Sequence, residues 1–431
     1  MLLTVIGLFT FSLILCIILG INILAALIFG FVLFFSYGLL NHYSFKTMAG
    51  FALKGILTVK NILLTFILIG MLTALWRASG TIPVIITYTS RFIRPEIFLL
   101  AAFLLNGLVS FLIGTSFGTS ATMGVITMTM GLALNINPVF LGGAILSGVF
   151  FGDRCSPVST SALLVSEVTG TDIYDNIKRM FKIAAVPFIA SCVIYLVLGF
   201  QGNRGSDILD VKSIFSESFS LNPLCLIPAL VIVVLAIFRV KVKQSMAVSI
   251  VCAILICIFV QHMEFLTLLK LLLFGFEAEK ENVAALLNGG GILSMKRVIF
   301  IICLSSSYSG MFEGTHMIDD VKDRISGMKE NMPVFLAMLI VSITVCAVSC
   351  NQTLAIILTN QLTEKLEPDK EKRALMLEDG PTVIAPLIPW SIAGTVPLSA
   401  CGAPVLSITL ACYLYLLPVW HLMVNILKKD R

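Results

Sequence analysis

The chain has 431 residues, of which 58% are hydrophobic and only 12% charged, and its mean hydropathy is +1.02. Soluble domains carry roughly 25% charged residues, so this composition excludes them and defines an all-α polytopic membrane protein, long enough for about 10–13 crossings. Lys+Arg number 29 against 24 Asp+Glu, a net charge of +5 that fits basic cytoplasmic loops and no nucleic-acid partner, while the continuous apolar runs exclude the alternating pattern of a β-barrel.

The 11 cysteines mostly stand singly in apolar runs (Cys16, Cys192, Cys252, Cys257, Cys346), where they behave as small hydrophobes rather than metal or disulfide partners. No zinc spacing and no haem attachment motif occurs, so no resident cofactor is expected. No basic segment precedes the first apolar run, so no cleavable signal peptide is expected there.

Leu2 to Leu40 is apolar apart from Gly20-Ile21-Asn22. As helix it would reach about 58 Å, two crossings rather than one, which predicts a tight hairpin. Asn41 to Lys60 carries His42, Lys46, Lys54 and Lys60 without an acid, and reads as a basic cytoplasmic loop that leaves the N-terminus inside. Asn61 to Trp76 is apolar and runs into Arg77-Ala-Ser-Gly-Thr-Ile-Pro83, a broken helix by its Gly and Pro. Arg77 either snorkels to the interface or faces the protein interior.

Pro95 to Leu134 is interrupted by Gly114-Thr-Ser-Phe-Gly-Thr-Ser-Ala121. Such density of Gly and hydroxyls suits an unwound or re-entrant turn, and makes Thr115, Ser116 and Thr119 candidate ion ligands. A Gly-rich run over Asn137–Phe151 then leads into Gly152-Asp-Arg-Cys-Ser-Pro-Val-Ser-Thr-Ser-Ala-Leu-Leu-Val165. Acid, base, proline and hydroxyls at membrane depth are tolerated only where they line a cavity. Asp172–Lys182 reads as an amphipathic surface helix, and spans are expected over 183–200, Leu224–Phe238 and Ser245–Val260, with the basic knot Arg239-Val-Lys-Val-Lys243 marking the cytoplasm.

The second half echoes the first. Ser309-Gly-Met-Phe-Glu-Gly-Thr-His-Met-Ile318 registers with Thr73–Ile82, Ser349-Cys-Asn-Gln-Thr353 with the Gly118-Thr119-Ser120 turn, and Leu377-Glu-Asp-Gly-Pro381 with the Asp153 stretch. Matched interruptions in two halves point to a transporter built from inverted repeats. The expected organisation is a hairpin and basic loop over 1–60, a first transport repeat over 61–200, a connector with scaffold spans over 201–292 and a second repeat over 293–431.

Asp153 and Arg154 are neighbours on a helix and cannot face one another, so each needs a partner elsewhere. An intramembrane carboxylate is a hard oxygen ligand and also a proton acceptor, so Na⁺ and H⁺ can compete for it. Asp153 is therefore the first candidate, with neutral oxygens from Ser156, Ser159 and Thr160. From the other half come Asn351, Gln352, Thr353 and the acids Glu378 and Asp379, with Glu313 and Arg77 at a second matched pair of positions. Asp153 and Asp379 are the expected Na⁺ ligands.

Ala74-Leu-Trp-Arg-Ala-Ser-Gly-Thr-Ile-Pro83, Gly114–Thr119, Gly152-Asp-Arg-Cys-Ser-Pro-Val-Ser159, Leu377-Glu-Asp-Gly380 and Pro386-Leu-Ile-Pro-Trp390 together resemble the NhaC-type sodium/proton antiporters. The resemblance runs nearly throughout residues 70–182 and in islands beyond. It implies discontinuous helices meeting near the bilayer midplane and gradient-driven exchange of Na⁺ for H⁺ in the cytoplasmic membrane. In some relatives a small organic acid or amino acid is exchanged, and here Arg77 or Arg154 would meet its carboxylate. After Ser159 the family pattern continues Asp-Thr-Thr-Asn, whereas this chain has Thr160-Ser-Ala-Leu163. Expected partners are thus Na⁺, H⁺, the lipid bilayer and, as alternative cargo, a small carboxylate or amino acid; a homodimer is compatible. An enzyme is not expected: His42, His262, His316 and His421 lie far apart, and Gly114-Thr-Ser-Phe-Gly118 lacks the strand-to-helix turn that gives GxSxG its meaning.

Overall fold

The computed structural model describes residues 2–19, 23–89, 94–202, 215–216, 218–238, 240, 242–280, 283–284, 287–315 and 332–429. Helices α1 (Leu2–Ile18) and α2 (Ile23–Leu40) lie side by side, as a hairpin requires; the expected turn at 20–22 falls outside the described residues. The predicted basic loop is instead a helix, α3 (Phe45–Thr58), capped by Ser44, whose hydroxyl accepts from the Thr47 amide. The physical reason is spacing: Met48, Ala52 and Gly55 form a buried stripe at helical intervals, and the lysines fall off it.

Helices α4 (Lys60–Ala78) and α5 (Thr81–Thr89) are the two pieces of the segment broken at Ser79-Gly80, where Gly80 takes φ +78°. Then α6 (Pro95–Ile113) ends at Gly114, followed by the short α7 (Ser116–Thr119), a π-helical turn over Ser120–Gly124 and α8 (Val125–Ala133). Helix α9 (Pro138–Cys155) stops at the Asp153 stretch and resumes as α10 (Thr160–Thr169), bent by 43°. The surface helix and the span expected after it are one continuous element, α11 (Ile173–Gly202).

A connector of apolar helices follows: α12 (Ile227–Ile237), α13 (Val242–Phe259) and α14 (Phe265–Phe274). Helix α15 (Lys296–Thr315) runs unbroken through Gly310, so the polar segment expected to interrupt it does not do so over 309–315; its remainder, 316–318, lies outside the described residues. Helices α16 (Val334–Ser349), α17 (Gln352–Thr363), α18 (Lys370–Asp379), α19 (Pro381–Ile384), α20 (Ile392–Cys401) and α21 (Cys412–Lys429) complete the chain.

Three helices among the described residues are long and apolar enough to cross a membrane alone, and three bent pairs qualify together. Six shorter apolar helices accompany them. The chain is therefore divided by interruptions into more pieces than a count of hydropathic spans implies. Large apolar side chains such as Phe11, Ile189, Val193 and Phe259 face outward, the surface that a protein solvated by lipid presents.

Close helix contact is made by glycine. A Cβ on Gly148 would lie 2.4 Å from the Phe103 carbonyl, and one on Gly152 2.2 Å from the Gly107 carbonyl and 2.5 Å from the Phe111 amide. Backbone thus meets backbone between α6 and α9, which holds the Asp153 stretch rigidly against the first helix break. Gly152→Ala should lower the melting temperature of detergent-purified protein, an overpacking cost of about 1–3 kcal/mol. Gly50→Ala, where nothing lies within 4 Å, should leave it unchanged or slightly raised. Equal melting of the two variants would refute this account of the α6–α9 contact.

Candidate functional site

The two halves break in the same way. Helix α6 ends on Gly114 at φ +72°, and Thr115 caps α7; helix α16 ends on Cys350 at φ +54°, and Asn351 caps α17, its Oδ1 accepting from the Thr353 amide at 2.9 Å. A non-glycine residue in the left-handed region is strained, and such strain persists where surrounding structure fixes it. Cys350 is held there by its carbonyl, which accepts from the Ile392 amide at 2.9 Å.

At the end of α9 the chain extends at Ser156 and passes Pro157 before Ser159 caps α10. The Ser159 hydroxyl accepts from the Ser161 and Ala162 amides and donates to Asp153 Oδ1 at 2.7 Å. Its single proton is thereby committed, so in the 2.9 Å contact with Ser161 it is Ser161 that donates. Ser116, from the first break, adjoins the same carboxylate. Asp153 is 4% exposed and sits by the positive end of α10. It thus has oxygen neighbours and no basic partner among the described ion pairs.

Arg154 points elsewhere, as adjacency to Asp153 demands. Fully buried, it forms an ion pair with Asp379 of α18, and its Nε donates to the Glu378 carbonyl at 3.3 Å. The other Asp379 oxygen accepts from Nδ1 of His421 on α21 at 2.6 Å. That imidazole stacks on Phe335 of α16, with ring centroids 4.0 Å apart. Next to this network the Glu378 carboxyl is fully buried, and neither of its oxygens has a hydrogen-bond partner among the described residues.

The expected residues divide accordingly. Asp153, Ser159 and Ser116 come together, with Glu378 and Asp379 adjoining them from the second half. Ser156 is buried in the α9–α10 turn, its hydroxyl accepting from the Val158 amide at 3.4 Å. Thr119 bonds its own helix, and Gln352 donates to the Thr382 carbonyl at 2.8 Å, tying the second break to α19. Thr160, Thr353 and Glu313 have exposed side chains. Arg77 donates to the Thr73 carbonyl at 2.9 Å at the end of α4, and its Nε is buried with no partner among the described residues. Asp379 differs from its expected role as a Na⁺ ligand: both its oxygens are occupied, by Arg154 and His421.

His421 was not among the expected residues. Its signal is nonetheless present, since Tyr413, Leu417 and His421 share one buried stripe at four-residue spacing. A polar cross-link away from this cluster also joins the halves. Asn360 of α17 donates to the Val168 carbonyl of α10 at 3.1 Å and accepts from Arg373 Nε of α18 at 3.0 Å.

Interrupted helices converging on buried carboxylates in an apolar, outwardly lipophilic fold define a multi-pass membrane transporter. The Na⁺/H⁺ antiporter family profile matches residues 1–166 and 148–427, and the chain belongs to that family. It is 29% identical to a Na⁺/H⁺ antiporter NhaC of Alkalihalophilus pseudofirmus, over 81% of this chain and 78% of that protein. It is likewise 29% identical to a malate-2H⁺/Na⁺-lactate antiporter of Bacillus subtilis, over 82% and 78%. Identity to an arginine/ornithine antiporter, ArcD, of Halobacterium salinarum is 28%, over 79% and 73%.

The Arg154–Asp379 pair gives a stability prediction. Asp379→Asn leaves a buried guanidinium uncompensated and should cost about 3–5 kcal/mol, whereas Arg154→Met with Asp379→Leu should recover much of that loss. Thermal unfolding of the purified variants checks this in a double-mutant cycle; strictly additive losses would exclude the coupling.

Proposed function

We propose that this chain is a secondary active transporter that exchanges Na⁺ for H⁺ across the cytoplasmic membrane by alternating access. Two repeats, each carrying a broken helix, rock about a site where Na⁺ and H⁺ compete for buried carboxylate charge. The observation that carries this reading is Asp153, a buried carboxylate that accepts from the Ser159 hydroxyl, adjoins Ser116 and has no basic partner among the described residues. Hard oxygens around one negative charge suit a small cation, and the same charge can take a proton instead. The NhaC relatives are, by name, antiporters of the same two ions.

An organic-anion or amino-acid cargo is the second reading, favoured by the buried, unpartnered Nε of Arg77 at the α4–α5 break. Arg154 does not serve it, because Asp379 already holds its guanidinium.

The test uses everted vesicles loaded with a pH-sensitive dye. Adding Na⁺ should collapse a preformed ΔpH in wild-type vesicles, and Asp153→Asn should reduce that response to the vector background. A wild-type protein silent to Na⁺, K⁺ and Li⁺ from mildly acidic to alkaline pH would overturn the proposal. In that event, saturable malate or arginine uptake that is lost in Arg77→Gln would establish the second reading.

A further inference from the structure

Two carboxyls in this cluster stand outside the Arg154–Asp379–His421 network, and their surroundings differ. Asp153 takes the Ser159 hydroxyl as donor at 2.7 Å, with Ser116 adjoining it and the positive end of α10 beside it. Glu378, on the other half, is fully buried, has no donor at its oxygens among the described residues, and lies within electrostatic reach of Asp153. The nearest base, Arg154, spends its guanidinium on Asp379 and its Nε on the Glu378 backbone carbonyl.

An environment rich in donors stabilises an anion, whereas one without them favours a neutral group. We infer that the two ions are held on different carboxyls from different halves: Na⁺ at Asp153, and the exchanged proton on Glu378. The inference rests on the exchange proposed above and deepens it.

Coupling then follows from the proximity of the two groups. With Asp153 empty and ionised, its negative charge opposes a second charge nearby, and Glu378 stays a carboxylic acid. Na⁺ arriving at Asp153 cancels that charge, so the Glu378 O–H bond breaks and the proton passes to water on the open side. Return of the proton to Glu378 removes the second negative charge that helped hold the cation, so Na⁺ leaves Asp153. Charge balances at each step, with Na⁺ bound as H⁺ leaves. Arg154, Asp379 and His421 hold α9, α18 and α21 in place, so that this repulsion acts at fixed range.

The experiment uses the full chain in lipid vesicles. Glu378→Gln, a permanent mimic of the neutral acid, should keep exchange of labelled Na⁺ for Na⁺ but lower Na⁺-driven proton movement at least about tenfold. Asp153→Asn should lose both. Should Glu378→Gln fail to fold, the wild type supplies the readout through dicyclohexylcarbodiimide, which modifies protonated carboxyls in apolar surroundings. Mass spectrometry should find the adduct on Glu378, and Na⁺ should suppress it where K⁺ does not. Wild-type proton movement in Glu378→Gln would overturn the inference. So would loss of Na⁺/Na⁺ exchange in that variant, which would make Glu378 a Na⁺ ligand, or labelling of Glu378 that ignores Na⁺. In each of those cases wild-type Na⁺/H⁺ exchange would stand; its absence would instead strike the function proposed above.

Discussion

A guanidinium with no access to water is the constraint around which the interior is arranged. Removing such a charge from water is costly unless it is paired and hydrogen-bonded in good geometry. Arg154 obtains a carboxylate from Asp379 and a carbonyl from Glu378, and the remaining Asp379 oxygen obtains His421. That sequence of dependencies draws α9, α18 and α21 to one point. Phe335 completes it by giving the imidazole a flat apolar neighbour.

Helix interruption serves the same economy of polar groups. A break at membrane depth frees amides and carbonyls that lipid cannot satisfy. Here four of the breaks are closed by a side chain of the segment itself: Thr115, Ser159, Asn351 and Ser391 each accept from an amide of the helix they begin. The Ser159 hydroxyl caps α10 and donates to Asp153, so one group both ends a break and dresses the candidate cation site. Glycine contacts between α6 and α9 keep that arrangement from relaxing.

Much of this was legible in the chain because polarity within an apolar run has few explanations. The matched breaks, the interior position of Asp153 and the separate partners of Asp153 and Arg154 all followed from spacing and the cost of buried charge. Partner identity did not follow: Arg154 meets Asp379 across 225 residues, a distance over which no local pattern speaks. Thr160 and Ser159 are neighbours with opposite fates, and only the direction of the α10 entry decides that Ser159 turns inward. Glu313 read as intramembrane because its neighbours are apolar, yet it is exposed near the end of α15. The segment of α3 read as a loop because four basic residues outweighed a buried stripe of small side chains.

The long separation of Arg154 from its counter-charge also bears on how the protein is made. The first half leaves the ribosome with a base that belongs in the interior and nothing yet synthesised to neutralise it. Until α18 arrives, Arg154 must stay hydrated or borrow a temporary partner, so α9 and α10 cannot settle into their final positions. His421 comes later still, with α21. The halves therefore mature as one unit, with α21 closing the charge network that α9 begins.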